Sequence, residues 1–189
     1  MRSRSGRGVT AGEEDMGIHR SEVLQTPDGY LAVVEYIGLF EHADDVRHAI
    51  LQLKYHENKK LALMLSRKML EELHQQERCD LITWSPTTSL RRQKRGFDQS
   101  ELIARHLAAQ VGVRHARLLR RSNDGRQTGS GREERLARPS FIARPTLRGK
   151  HVWVIDDVMT TGATLRASAE ALVSAGATRV TCVAVSYVP

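Results

Sequence analysis

The chain has 189 residues, 40% of them hydrophobic and 27% charged, with a formal net charge of +7 from 29 Lys+Arg and 22 Asp+Glu. This length fits one domain with a short tail, and the charge content is ordinary for a globular protein. No window holds about 18 consecutive apolar residues, so we expect no membrane span. Residues 1–15 are polar and lack the apolar stretch of a secretory signal, so a cytoplasmic location is expected.

Composition also limits the kinds of site that the chain can carry. Its two cysteines, Cys79 and Cys182, lie far apart, which excludes a disulfide framework and a four-cysteine zinc site. Each lies in or beside an apolar run, so we expect a buried structural thiol at both positions. We expect residues 1–17 to form a disordered tail and residues 18–189 to form a single domain.

Hydrophobic periodicity predicts alternating strands and helices. The predicted strands are 31–37, 80–84, 141–143, 151–155 and 179–188; the predicted helices cover 43–54, 61–73, 98–111 and 164–175. Asp98 is a predicted N-cap with Glu101 as its capping-box partner, and Gly112 is predicted to end that helix. Strands alternate with helices through the second half, so we predict an α/β fold, a mainly parallel sheet flanked by helices.

The segment 151–164 carries the clearest chemical pattern. An apolar strand is followed by Asp156 and Asp157, then by a loop of small residues, and then by a helix. Ligands of open α/β sheets bind at the carboxyl ends of strands, and a helix N-terminus offers unpaired N–H groups to a phosphate. Thr160, Thr161 and Thr164 add hydroxyl donors. Gly162 allows the backbone to approach a ligand closely.

Two carboxylates repel an anion, so a phosphate alone does not explain why they stand beside a phosphate site. The ligand must carry a second group that the carboxylates bind. Vicinal hydroxyls of a ribose can donate hydrogen bonds to Asp156 and Asp157, and the same carboxylates can help to hold a Mg²⁺ bound to the sugar and its pyrophosphate. The pattern therefore favours a phosphorylated ribose as the ligand.

The same segment resembles the phosphoribosyl pyrophosphate (PRPP) motif of type I phosphoribosyltransferases: a hydrophobic triplet, Asp-Asp, Val, any residue, Thr-Thr-Gly, any residue, Thr. The resemblance implies the three-layer fold of that class, with Mg²⁺ as cofactor. It implies PRPP binding by Asp156, Asp157, Val158, Met159, Thr160, Thr161, Gly162, Ala163 and Thr164. It also implies transfer of the phosphoribosyl group to a nitrogenous base or amine, with release of pyrophosphate.

Further motifs resemble the competence-associated ComF/GntX phosphoribosyltransferases. They are the run from Arg95 through Gly96, Phe97, Asp98 and Gln99, the run 53–55 (Leu-Lys-Tyr), and Gln127 to Gly129 followed by Glu134 and Arg135. The resemblance covers about residues 45–188. Members of that family often begin with a four-cysteine zinc module, which these residues lack, so no zinc is expected.

A pyrophosphate site is implied after the strand 80–84, where the Ser-Pro-Thr-Thr turn stands in place of the family's Pro-Val-Pro. Its expected members are Thr87, Thr88, Arg91, Lys94 and Arg95. Arg95 is the preferred candidate for a catalytic role together with Asp156 and Asp157, because a guanidinium binds phosphate bidentately and stabilises a departing polyanion. Arg91 and Arg92 fit a solvated surface equally well.

The segment containing Gln127, Thr128 and Gly129 resembles a lid that would exclude water from the site. A plain surface loop is the alternative. None of the histidines, His42 included, has metal-ligand spacing, and a surface role is expected for each.

Two other functions remain open. The first is a non-catalytic protein that senses PRPP or a nucleotide, or handles single-stranded DNA with the competence machinery, using its basic residues to follow a phosphate backbone. The second is a purine or orotate salvage enzyme. A homodimer is also compatible with the sequence.

Overall fold

The computed structural model of the chain describes residues 17–55, 58–122, 139–144 and 147–189. The predicted tail therefore lies outside the described residues except for Gly17, and the division into tail and domain stays a prediction. The described residues contain no helix with the length and hydropathy needed to cross a bilayer.

Eight strands and five helices follow one another along the described chain. The strands are β1 (Ile18–Gln25), β2 (Leu31–Glu41), β3 (Leu81–Trp84), β4 (Arg114–His115), β5 (Leu119–Arg121), β6 (Phe141–Ala143), β7 (His151–Met159) and β8 (Arg179–Tyr187). The helices are α1 (Asp44–Tyr55), α2 (Lys59–Glu72), α3 (Ser89–Arg95), α4 (Gln99–Val111) and α5 (Ala163–Ser174).

Six strands form one sheet in the order β1-β2-β8-β7-β3-β4. All neighbours in it are parallel except β1 and β2, which are antiparallel. Strands β5 and β6 form a separate antiparallel pair. The long strands β7 and β8 lie in the middle and are almost wholly buried, which is the normal setting of near-continuous apolar strands in a parallel sheet.

Helices cover both faces of this sheet, and each face has its own core. On one face, α1, α2 and α4 pack over apolar side chains of β3, β7 and β8, including Trp84, Ile155 and Val183. On the other face, α5 packs over side chains such as Val154 and Cys182, and Phe141 of the β5–β6 pair joins it. The predicted α/β fold, a mainly parallel sheet flanked by helices, is confirmed.

Several local predictions hold and others need correction. Asp98 caps α4 by accepting from the Ser100 N–H at 3.2 Å, and Gly112 ends the helix with φ +76°. Both cysteines are buried and unpaired with each other. The prediction missed β1, an edge strand whose side chains are mostly exposed and therefore show no clear apolar period. It also missed α3, because the predicted loop after Thr88 is a short basic helix.

Candidate functional site

The loop between β7 and α5 forms one part of the site. Gly162 stands at the N-cap of α5 with φ +73°, a left-handed conformation that glycine adopts without strain. No side chain caps the helix; the Thr161 hydroxyl accepts only a long bond of 3.4 Å from the Ala163 N–H. The first amides of α5 are therefore available to an anionic ligand.

A small cavity lies over this loop. Its lining is Asp156, Val158, Met159, Thr160, Thr161, Gly162, Ala163, Thr164 and Leu165, so it contains eight of the nine residues predicted to bind PRPP, all but Asp157. Thr160 and Thr161 are exposed and Thr164 is half-buried. The structure thus brings the predicted phosphate loop and one of the two acidic residues to a single concave surface.

The acidic pair lies inside β7, which corrects the prediction that the strand ends before it. The ladder with β8 continues to Met159, two residues beyond Asp157. Asp156 and Asp157 are each only 8% exposed. The longer strand follows from the pairing with β8, a long-range contact that the local apolar pattern does not reveal.

Each carboxylate has its own hydrogen-bond partners. Asp156 Oδ1 accepts from the Ser100 hydroxyl at 3.2 Å and from the Asp157 N–H at 2.9 Å. Asp157 Oδ1 accepts from the Val158 N–H at 2.9 Å. Burial, with the neighbouring Asp157 charge as a second cause, raises the pKa of Asp156 well above its ordinary value. The Asp156 carboxyl therefore resists ionisation beside its neighbour.

Asp157 has one cationic and one neutral polar partner, and the sequence analysis assigned neither of them to the site. Lys54 Nζ, from the last turn of α1, lies 2.8 Å from Asp157 Oδ2. The Gln99 side-chain amide, from the first turn of α4, donates to the same oxygen at 3.1 Å. Both residues belong to the motifs that carried the family resemblance, 53–55 and 95–99, and that was the available signal.

The predicted pyrophosphate loop follows β3, the strand next to β7, so both loops lie at the same edge of the sheet. The loop is held both through its backbone and through a side chain. The Thr87 N–H donates to Asp98 Oδ2 at 2.9 Å, and the Ser85 and Ser168 hydroxyls are 2.9 Å apart. Thr88 caps α3 by accepting from the Arg91 N–H at 3.3 Å. The Thr87 N–H is therefore already engaged with Asp98, whose own pKa is raised by burial.

The basic residues of α3 differ in how closely they approach the acidic pair. Arg95 is half-buried, and its Nη1 donates to the side-chain oxygen Oε1 of Gln99 at 3.1 Å. The side-chain amide of Gln99 therefore joins Arg95 to Asp157. Arg92 Nη2 lies 3.4 Å from Glu101 Oε2 on α4. Arg91 and Lys94 are exposed. Arg95 is thus the member of the predicted set that the structure links to the carboxylates.

The predicted lid stays a prediction. Gln127, Thr128 and Gly129, with Glu134 and Arg135, lie outside the described residues. Among the residues that are described, no group of three or more His, Cys, Asp or Glu side chains could hold a metal ion by itself.

Comparison with known proteins gives a family-model match and several relatives. Residues 98–189 match the model of the phosphoribosyl transferase domain. A protein from Salmonella typhi described as "DNA utilization protein YhgH" is 26% identical over 183 residues, which is 92% of this chain and 78% of the relative. Its namesake from Escherichia coli K12 is 29% identical over 167 residues, 83% of this chain and 72% of the relative. The family-model match makes residues 98–189 similar to a phosphoribosyl transferase domain.

The chain also aligns with solved structures of other proteins. Orotate phosphoribosyltransferase from Aeropyrum pernix aligns with a TM-score of 0.43 and 23% identity over 86% of this chain and 71% of its own. Glutamine PRPP amidotransferase from B. subtilis aligns with a TM-score of 0.45 and 24% identity over 67% of this chain. The aligned region covers 25% of the amidotransferase chain.

Proposed function

We propose that this protein binds Mg²⁺-PRPP and transfers its phosphoribosyl group to a nitrogen nucleophile, with release of pyrophosphate, in the manner of the ComF-like phosphoribosyltransferases. The observation that carries the proposal is the placement of the buried pair Asp156 and Asp157 directly before the loop 160–164, on one strand. One ligand can therefore bring hydroxyls to the carboxylates and a phosphate to the amides of α5.

The binding mode follows from the two loops. The 5-phosphate lies on residues 160–164, and the ribose hydroxyls donate to Asp156 and Asp157. The pyrophosphate extends toward the end of β3, where Thr87, Thr88, Arg91, Lys94 and Arg95 carry hydroxyls and positive charge. Arg95 stabilises the charge that develops on the departing pyrophosphate.

The donor set fits Mg²⁺ supplied with the ligand. Mg²⁺ is commonly bound by one or two carboxylates together with substrate phosphates, and Asp156 and Asp157 offer carboxylate oxygens while the described residues form no all-protein site. When bound, the ion neutralises charge on the pyrophosphate as it leaves. The residues of the chain hold the ribose and the 5-phosphate around it.

Ligand-dependent stabilisation tests the binding half of this proposal. Thermal unfolding is followed with PRPP, ribose 5-phosphate and pyrophosphate, each with and without Mg²⁺. We expect Mg²⁺-PRPP to raise the melting temperature more than either fragment, because a ligand that binds only the folded state stabilises it by mass action. Equal stabilisation by pyrophosphate alone would show a plain polyanion site and contradict the proposal.

Transfer is tested separately by following PRPP with ³¹P NMR in the presence of adenine, guanine, uracil, orotate or ammonium chloride. We expect one or more of these to convert PRPP into pyrophosphate and an N-riboside phosphate. Orotate or a purine as the preferred acceptor would favour the salvage function. Consumption of PRPP by none of them, despite tight binding, would favour a sensor.

A second candidate function is the handling of single-stranded DNA without turnover, because the relatives from Salmonella typhi and Escherichia coli are described as DNA utilization proteins. The exposed Arg91 and Lys94 on α3 give it a basic surface. A salt titration of binding to a fluorescent oligonucleotide tests it. Affinity that falls steeply with salt supports this function, and the absence of binding at low salt removes it.

A further inference from the structure

His42 lies immediately after β2, at the same edge of the sheet as the acidic pair. Its backbone N–H donates to the Tyr187 carbonyl at 2.8 Å, and its Nδ1 is 2.9 Å from the hydroxyl of Ser186. Ser186 is fully buried and its hydroxyl donates in turn to the Asp157 carbonyl at 3.4 Å. A chain of two hydrogen bonds therefore fixes the imidazole ring relative to the backbone of Asp157.

These contacts engage Nδ1 of His42 and not the other ring nitrogen, Nε2. With the proton on Nδ1, the Ser186 oxygen accepts from His42 while its own single proton goes to the Asp157 carbonyl. In that tautomer Nε2 carries no proton. No hydrogen-bond partner of this Nε2 is found among the described residues. It is also not among their buried nitrogens without a partner, so Nε2 is not buried. It is thus free to accept a proton from a ligand.

In the proposed binding mode, the strand order puts His42 on the side of the ribose away from the pyrophosphate loop. The proposed pyrophosphate loop follows β3, on one side of β7, whereas β8 and then β2 lie on the other side. A nucleophile attacks an oxocarbenium-like centre from the face opposite the leaving group. With the ribose on β7 and the pyrophosphate toward β3, the open face of the anomeric carbon is directed to the β8 and β2 side, where His42 lies.

We infer that His42 Nε2 binds an N–H of the incoming nitrogen base or amine and removes its proton. This inference rests on the proposed phosphoribosyl transfer. A bond forms between the acceptor nitrogen and the anomeric carbon, the bond from that carbon to the pyrophosphate oxygen breaks, and its electron pair leaves with pyrophosphate. The acceptor proton passes to Nε2 and then to solvent. Ser186 is a positioning residue that holds the Nδ1–H tautomer.

Kinetics of pyrophosphate release from Mg²⁺-PRPP test this role in the full chain. The nucleophiles are ammonium chloride, adenine, guanine, uracil and orotate, with water alone as the reference. His42→Gln keeps a polar group beside Ser186 but cannot take up the proton. We expect it to lower kcat by about 100-fold, to leave the calorimetric affinity for Mg²⁺-PRPP within about twofold, and to regain part of its rate on addition of free imidazole.

A matched control is His48→Gln, which changes an exposed histidine on α1 whose contact is with Gln52. It should keep the wild-type kcat. Wild-type kcat in His42→Gln, or a loss that imidazole does not restore, would overturn the role of His42 while leaving phosphoribosyl transfer intact. Binding of Mg²⁺-PRPP without pyrophosphate release in the wild type would overturn it too. Absence of PRPP binding in the wild type would instead show that the proposed function fails.

Discussion

Lys54 Nζ lies 2.8 Å from Asp157 Oδ2, and this ion pair joins the end of α1 to the central strand of the sheet. Both side chains are largely shielded, with 23% of Lys54 and 12% of Asp157 exposed. A carboxylate in such a place needs a partner to remain charged. Lys54 supplies one within the protein, and Gln99 adds a hydrogen bond to the same oxygen.

Removal of the lysine charge should therefore weaken the fold. We expect Lys54→Met to lower the free energy of unfolding by about 1–3 kcal/mol, because it leaves a shielded carboxylate with one donor fewer. Urea denaturation measures the change. Lys60→Met, at an exposed position on α2, is the control and should stay close to wild type. The double variant Lys54→Met/Asp157→Asn should recover most of the loss; if it is less stable than Lys54→Met, the pairing is not the cause.

Gln99 should couple the two ends of the bound ligand. Its amide orientation is fixed, because its carbonyl accepts from Arg95 and its NH₂ group donates to Asp157. We expect Gln99→Leu to reduce by about 5-fold or more the preference for Mg²⁺-PRPP over ribose 5-phosphate, since Arg95 is no longer held toward the carboxylates. Calorimetry with both ligands measures this ratio.

Gln110→Leu is the control for that experiment. Gln110 is a half-buried glutamine near the other end of α4, and its amide donates to the Ser66 hydroxyl rather than to a site residue. It should lose stability but keep the ratio of the two affinities. A ratio unchanged in Gln99→Leu would show that Arg95 and Asp157 act independently.

Gly162 and Gly112 allow the ligand effect of a glycine to be separated from its conformational effect. Both have positive φ, +73° and +76°, and an added Cβ would meet no atom closer than 3.9 Å at either position. Each substitution by Ala should therefore cost about 1–2 kcal/mol of stability through backbone strain. Only Gly162→Ala should also weaken binding of ribose 5-phosphate. Equal affinities in the two variants would remove the loop 160–164 from the phosphate site.

The raised pKa of Asp156 predicts how stability depends on pH. An acid whose pKa is higher in the folded chain than its ordinary value of 3.8 binds more protons when folded. The Asp156 carboxyl therefore lowers the free energy of unfolding progressively as the pH rises from 3.8 through the raised pKa. Asp156→Asn removes this penalty and should raise the free energy of unfolding at pH 7 by roughly 0.5–2 kcal/mol, while weakening PRPP binding.

Thermal unfolding of the wild type and of Asp156→Asn between pH 4.5 and pH 8, in steps of about half a pH unit, tests this pH dependence. The gain in Asp156→Asn should shrink as the pH falls, because the wild-type carboxyl becomes protonated. Asp98, whose pKa burial also raises, is present in both proteins and does not affect the difference. If Asp156→Asn is less stable than the wild type at pH 7, the raised pKa of Asp156 does not lower the stability of the folded chain, and the expectation is wrong.

Local patterns predicted the parts of this protein that depend on local physics. The helix cap at Asp98, the positive-φ residues Gly112 and Gly162, and the apolar strand before Asp156 each leave a short sequence pattern. The fold class followed from the alternation of these elements. The strand β7 extends past Asp157 because β8 pairs with it. The residues near Asp157 in the sequence carry no pattern that predicts this pairing.

The contacts of the site were harder to predict for the same reason. Lys54 and Gln99 meet at Asp157 from two helices and a strand that are far apart in the chain, so only the tertiary arrangement shows that they share one oxygen. His42 looked like one of several surface histidines. Its bond to Ser186, 144 residues away in the chain, appears only in the tertiary structure.

Isothermal titration of PRPP, with and without Mg²⁺, into the wild type and into Asp156→Asn/Asp157→Asn tests the central claim most directly. The account predicts one Mg²⁺-dependent site in the wild type and a loss of at least about 10-fold in affinity, or about 1.4 kcal/mol, in the double variant, which must first be shown to fold by its unfolding transition. No binding to the wild type, or equal binding to both proteins, would contradict the assignment of the acidic pair and its loop as a PRPP site.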